Sequence, residues 1–129
     1  MQLKWVKKLG LFRKKLSFAK MDLSKSKIDS DKTATITVNV KNRSDVFEKI
    51  KLVTKTDDEK NQYLKIDKPS INLPDLDFPN KNTGDHNITI TPYNIPLSKM
   101  SFKVTLEVFA NNVKKPLLKK DFSLTVNKK

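Results

Sequence analysis

Apolar and polar residues alternate over most of the chain, and this alternation predicts β-strands rather than helices. The clearest run covers residues 33–41, TATITVNVK, in which every second residue is apolar. The same period predicts strands at residues 49–55, 87–91, 101–109 and 120–126, with weaker ones at 16–23, around 63–66 and around 71–73. Breaks rich in proline and asparagine separate these runs. The pattern therefore predicts an all-β, Ig-like sandwich of two antiparallel sheets with about seven strands.

The beginning of the chain has a helical period instead. At about 100° per residue, four apolar side chains fall in one narrow sector of a helical wheel: Trp5, Leu9, Phe12 and Leu16. We therefore expect a short basic amphipathic helix in residues 1–16, followed by the Ig-like domain in residues 17–129. Two roles are open for the apolar side of this helix: an anchor for a membrane, or a lid over the open end of the sandwich.

The net charge of +13 is concentrated at the two ends of the chain. Residues 1–20 carry seven positive charges and no negative ones, and residues 111–129 carry six lysines against one aspartate. The first and last strands of Ig-like sandwiches commonly lie side by side, so the two ends are expected to form a single basic face. The residues assigned to this face are Lys4, Lys7, Lys8, Arg13, Lys14, Lys15, Lys114, Lys115, Lys119 and Lys120.

Such a face predicts a non-enzymatic adaptor that binds a polyanion. Nucleic acid or a ribonucleoprotein is the first partner expected, because the C-terminal lysines have few apolar anchors beside them. Binding through contacts to phosphates would weaken steeply with salt. An anionic membrane surface is the alternative, with the apolar sector of the helix as its anchor. No small-molecule substrate is expected.

The strand region also resembles a known group of domains. Residues 28–44, IDSDKTATITVNVKNRS, pass from a polar turn into an alternating strand that ends in V-x-N and a second polar turn. Residues 88–92, ITITP, and the alternating strand at 102–108 extend the likeness to the CARDB and fibronectin type III-like prokaryotic sandwiches over roughly residues 20–127. Members of that group are mostly extracellular adhesion or spacer modules. The resemblance implies an Ig-like fold and, as a third alternative, a structural module that contacts other proteins.

Residue types suited to catalysis or metal binding are scarce. The chain has no cysteine and only two glycines, which excludes thiolate chemistry and a glycine-rich phosphate loop. Its single histidine, His86, is expected on the same face of a strand as the apolar Ile88 and Ile90. It is therefore interpreted as a half-buried structural residue. The grouped acidic residues are interpreted as solvated loop charge rather than a Ca²⁺ site: Asp57, Asp58, Glu59, Asp75, Asp77 and Asp85. We expect no enzymatic activity and no cofactor.

The sequence also gives an expectation for location. No uncharged apolar run is long enough to cross a bilayer, and the N-terminal residues lack the apolar stretch of a signal peptide. The chain is therefore expected in the cytoplasm, either free or attached peripherally to a membrane.

Overall fold

The computed structural model describes residues 16–42, 46–58, 62–78 and 80–129. These residues form two sheets, ordered β1-β3-β7-β5 and β2-β9-β8-β4-β6. Every neighbouring pair is antiparallel except β2 with β9. The expected Ig-like sandwich is confirmed, with nine strands in the described residues rather than about seven: β1 (Leu16–Leu23), β2 (Lys27–Asp29), β3 (Ala34–Asn42), β4 (Ile50–Thr56), β5 (Leu64–Ile66), β6 (Ser70–Leu73), β7 (His86–Pro92), β8 (Lys99–Phe109) and β9 (Leu118–Asn127).

The core lies between the two sheets and follows the alternation of the sequence. In β3 the apolar residues are fully buried, and they alternate with the half-buried Thr35, Thr37 and Asn39. This arrangement arises because successive residues of a strand point to opposite faces of the sheet. The second sheet contributes a matching apolar layer, made mainly by Leu52, Phe102, Val104, Leu106, Val108, Leu124 and Val126. The inward-facing positions indicated by the alternation are therefore confirmed.

The first and last strands lie near each other, as expected, but they belong to different sheets and are not hydrogen-bonded to each other. β1 pairs with β3 at the edge of the four-stranded sheet, whereas β2 pairs in parallel with the end of β9. The chain changes sheets across residues 24–26, between β1 and β2. β2 was not predicted, because a three-residue strand with one buried residue, Ile28, is too short to show a period.

Leu16 begins β1, so its assignment to the apolar sector of a helix was wrong. Its side chain is 8% exposed, belongs to the core and lies opposite Asn42 of β3. A buried residue cannot anchor the chain to a membrane. The rest of the predicted helix, with Trp5, Leu9 and Phe12, lies outside the described residues. Among the described residues, no helix is long and apolar enough to span a membrane.

Candidate functional site

Two open strand edges lie near each other at one side of the sandwich. Neither edge has a neighbouring strand in the described residues. β1 is the terminal strand of the four-stranded sheet, and it carries a register shift between Phe18 and Lys20. β9 is covered by β2 only over its last residues, from Thr125 to Asn127. The outer edge of β9 from Leu118 to Leu124 therefore has no partner strand in the described part of the chain. This open side exists because the chain crosses between sheets before β2.

A shallow, open groove of about 860 Å³ lies between these two edges, and we call it the seam groove. Its lining combines apolar and charged side chains. Met21 and Leu23 of β1 and Phe122 of β9 are half-buried and pack against the core, so each also exposes apolar surface at the seam. The complete lining is Met21, Asp22, Leu23, Ser24, Lys25, Ser26, Lys27, Lys120, Asp121, Phe122 and Ser123.

Lys120 occupies an unusual position in this groove. It lies directly opposite the fully buried Leu106 on β8, so it belongs to the inward-facing set of β9 residues with Phe122 and Leu124. Because β9 is open here, the Lys120 side chain remains exposed, and its ammonium nitrogen lies 5.7 Å from the centre of the Phe122 ring. An inward-pointing charge on an edge strand is a known protection against unwanted strand pairing.

Lys119, the next residue, belongs to the opposite face of the same sheet. It lies opposite Glu107, whose carboxylate forms an ion pair with the Lys55 ammonium group at 2.7 Å. Two residues further on, Asp121 accepts a 2.8 Å hydrogen bond from the hydroxyl of Thr105. This bond, together with the nearby ammonium groups of Lys103 and Lys119, lowers the pKa of Asp121 below its ordinary value of 3.8. The outer face of this sheet therefore carries paired charges of both signs.

The described members of the predicted basic face are therefore divided among separate surfaces. Lys120 lies in the seam groove and Lys119 on the outer face of the sheet. Lys114 and Lys115 are exposed in the loop between β8 and β9. The other predicted members, Lys4, Lys7, Lys8, Arg13, Lys14 and Lys15, lie outside the described residues. Lys119 and Lys120 are adjacent in sequence but lie on opposite faces of the sheet.

A second apolar surface lies on the loops at one end of the sandwich. Three loops carry one large exposed apolar residue each: Val46, Phe78 and Val113. Hydrogen bonds join these loops, since the Asn111 side chain accepts from the backbone N–H of Glu48 (2.7 Å). The Asn42 amide, which is fully buried, donates to the carbonyls of Leu76 (2.9 Å) and Phe78 (3.1 Å). These bonds link the loops that carry the three exposed apolar residues.

Some of the grouped acidic residues are not solvated loop charges, contrary to the expectation. Asp58 is 9% exposed, and its two oxygens accept backbone N–H groups of Gln62 (3.0 Å), Tyr63 (2.8 Å) and Leu64 (3.0 Å). Asp57 accepts from the backbone N–H of Lys103 at 3.0 Å. These carboxylates hold loops against neighbouring strands, a role that their clustering in the sequence does not reveal. Of the other members, Glu59 lies outside the described residues.

The remaining acidic residues have similar tasks. Asp75 accepts from the backbone N–H of Lys49 (3.0 Å), Asp77 pairs with Lys81 (3.2 Å), and Asp85 accepts from the Asn39 amide (3.1 Å). Within residues 16–42, 46–58, 62–78 and 80–129, no group of three or more His, Asp or Glu side chains is arranged to hold a metal ion. His86 is half-buried, as predicted, and one ring nitrogen lies 3.1 Å from the carbonyl oxygen of Thr83.

Comparison with known proteins establishes the fold. No protein-family model and no curated protein sequence matches the chain. Among solved structures, the CARDB domain of the PF1109 protein from Pyrococcus furiosus, in complex with di-metal ions, is similar at a TM-score of 0.53 and 14% identity. The match covers 89% of this chain and 94% of that one. This chain has a CARDB-like fold.

Two other solved structures are more distant from this CARDB-like sandwich. WR4, a C. elegans member of the MSP family, has a TM-score of 0.43 at 10% identity, over 84% of this chain and 97% of that one. The periplasmic chaperone SfaE has a TM-score of 0.45 at 12% identity, over 84% of this chain and 56% of that one. The resemblance based on residues 28–44 and 88–92 is thus confirmed for the fold by the CARDB domain.

Proposed function

We propose that this CARDB-like domain is a non-enzymatic module that binds another protein through the seam groove. The observation that supports this proposal is the coincidence of an unpaired strand edge, Leu118–Leu124 of β9, with half-buried apolar side chains beside it. A free edge offers backbone hydrogen bonds to an added strand, and the neighbouring apolar surface supplies the burial that makes such pairing favourable.

A protein partner suits the groove better than a polyanion does. Phosphate binding needs several cations on one surface, with few carboxylates among them. The lining of the groove includes three lysines, Lys25, Lys27 and Lys120, but also two aspartates, Asp22 and Asp121, and three apolar residues, Met21, Leu23 and Phe122. The groove therefore offers mixed polarity, as the rims and centres of protein interfaces do.

Site-specific photo-crosslinking in an extract of the source cells tests this function. A photo-reactive phenylalanine analogue would replace Ser123, which lines the groove and is exposed. The matched control carries the analogue at Thr91, an exposed position on the other sheet. We expect discrete adducts from position 123 that resist nuclease and contain one recurrent protein, with no such adduct from position 91.

Three outcomes would contradict the proposal. Nuclease-sensitive adducts would indicate a nucleic acid partner, and adducts with phospholipid would indicate a membrane surface. Adducts of equal yield from positions 123 and 91, or from neither, would show that the groove is not a specific binding site. In each case the function proposed for the groove fails.

A further inference from the structure

We infer that the seam groove selects an extended partner segment that carries an acidic residue between two apolar residues at alternate positions. This inference rests on the proposed function and assigns the chemistry of the partner at the same site. The segment would add as a strand to the free edge of β9. The juxtaposition that supports it is an inward-facing Lys120 between two inward-facing apolar residues, Leu118 and Phe122.

The edge is long enough for specific pairing. From Leu118 to Leu124 it offers seven residues, and alternate residues direct their backbone N–H and C=O groups away from β8. Three residues of this stretch, Lys119, Asp121 and Ser123, do so, and an added strand would therefore gain up to about six backbone hydrogen bonds. Backbone pairing alone accepts any extended sequence, so selectivity must come from the side chains.

Lys120 supplies that selectivity through its charge. In the free domain its ammonium group is exposed, and water compensates the charge. A strand added beside β9 would cover the seam and remove that water, which is unfavourable for an ion that gains no partner. A carboxylate on the facing position of the added strand would offset this cost, whereas a neutral or basic residue would not.

The neighbours of Lys120 determine what flanks the carboxylate. Leu118 and Phe122 are half-buried on the same side of β9, and Met21 and Leu23 are half-buried across the groove. Residues two positions before and after the acidic one would face this apolar surface, because side chains of a strand alternate with period two. Apolar residues at those positions would bury the surface that the free domain leaves exposed.

The same reasoning disfavours a second copy of this chain as the occupant. If two copies paired through their β9 edges, each would bring its own Lys119 and Lys120 to the interface. Like charges brought close together in a desolvated seam repel one another. The charge complementarity of the groove therefore points to an acidic segment from a different protein.

Synthetic peptides provide the test. The probe is a fluorescein-labelled peptide with the core TVTETVT, and its charge-reversed counterpart has the core TVTKTVT. In a third peptide, prolines replace the two threonines that flank the glutamate, which removes backbone donors and prevents strand addition. Fluorescence anisotropy with the full chain is expected to show binding of the glutamate peptide that is at least about tenfold tighter than binding of either control.

Variants of the protein assign the effect to Lys120. Lys120→Glu should reverse the preference, so that the lysine peptide binds better than the glutamate peptide. Lys115→Glu makes the same charge change on an exposed loop residue and should leave the preference unchanged. Hydrogen exchange should show protection of β9 amides between Leu118 and Leu124 when the glutamate peptide is added to the wild-type chain or to Lys115→Glu, and when the lysine peptide is added to Lys120→Glu. Circular dichroism of both variants checks that the fold is retained.

Several results would overturn the inference while the proposed function survives. These are equal affinity for the glutamate and lysine peptides, binding of the proline peptide, or the same effect from Lys115→Glu as from Lys120→Glu. Self-association of the wild-type chain that competes with the glutamate peptide would show that a second copy is the occupant. If photo-crosslinking at position 123 still identifies a protein, only the chemistry assigned to the partner is wrong.

Discussion

Asp58 provides a direct test of how the loop between β4 and β5 is held. Its carboxylate accepts three backbone N–H groups, and replacement by alanine removes all three bonds. The cost depends on how easily water reaches each amide. Gln62 is exposed and can be rehydrated, Tyr63 is half-buried, and Leu64 is fully buried. With about 2 kcal/mol for the Leu64 amide and about 1 kcal/mol for the Tyr63 amide, Asp58→Ala should lower the free energy of unfolding by about 3 kcal/mol.

Two other variants set the scale for this value. Asp58→Asn keeps one carbonyl oxygen for Tyr63 and Leu64 but turns a donor toward the Gln62 amide, so a loss of about 1 kcal/mol is expected. Asp57→Ala removes one exposed bond to Lys103 and should cost about 0.5–1 kcal/mol. Urea unfolding, with an unchanged dependence on denaturant, measures all three. If Asp58→Ala costs no more than Asp57→Ala, Asp58 does not hold the loop.

Two further predictions concern single groups in the second sheet. The hydroxyl of Thr54 is buried and has no hydrogen-bond partner among the described residues. In urea unfolding, Thr54→Val should therefore raise the free energy of unfolding by about 1 kcal/mol, whereas Thr54→Ser should lower it. Destabilisation by valine would reveal a partner for the hydroxyl. Because the Thr105 hydroxyl lowers the pKa of Asp121, the carboxylate stabilises the fold above pH 3.8, and this contribution is lost as the pH falls through the lowered folded-state pKa. Thr105→Val should raise the pKa of Asp121 in an NMR titration, and an unchanged pKa would contradict the assigned cause.

The strands could be predicted from the sequence because burial in a sandwich has the same period as the strand itself. The bounds predicted for β1, residues 16–23, agree with those observed, and the other long strands differ by a few residues at their ends. The pairing of β1 could not be predicted in this way. A strand buries alternate side chains whichever sheet it joins, so the change of sheet at residues 24–26 leaves no trace in the period.

The site was harder to predict, because a charge total over a segment does not distinguish the two faces of a strand. Lys119 and Lys120 were assigned to one basic face, yet adjacent residues in a strand point to opposite sides. The sequence does indicate the direction of Lys120. It is two residues before Phe122 and four before Leu124, so it shares their inward face of the strand. What the sequence could not show is that β2 stops short of Lys120 and leaves that part of β9 uncovered.

The position of Lys120 links two properties of this domain that are otherwise separate. A free strand edge beside apolar surface invites self-association, and a single inward-facing charge opposes it because pairing would remove the water around that charge. The desolvation cost that opposes self-pairing is offset only by a strand that brings the opposite charge. Protection of the edge in the free domain and selection of an acidic partner would then have the same physical cause. The Phe122 ring beneath the ammonium group supports this role, since it holds the charge at the seam rather than in bulk water.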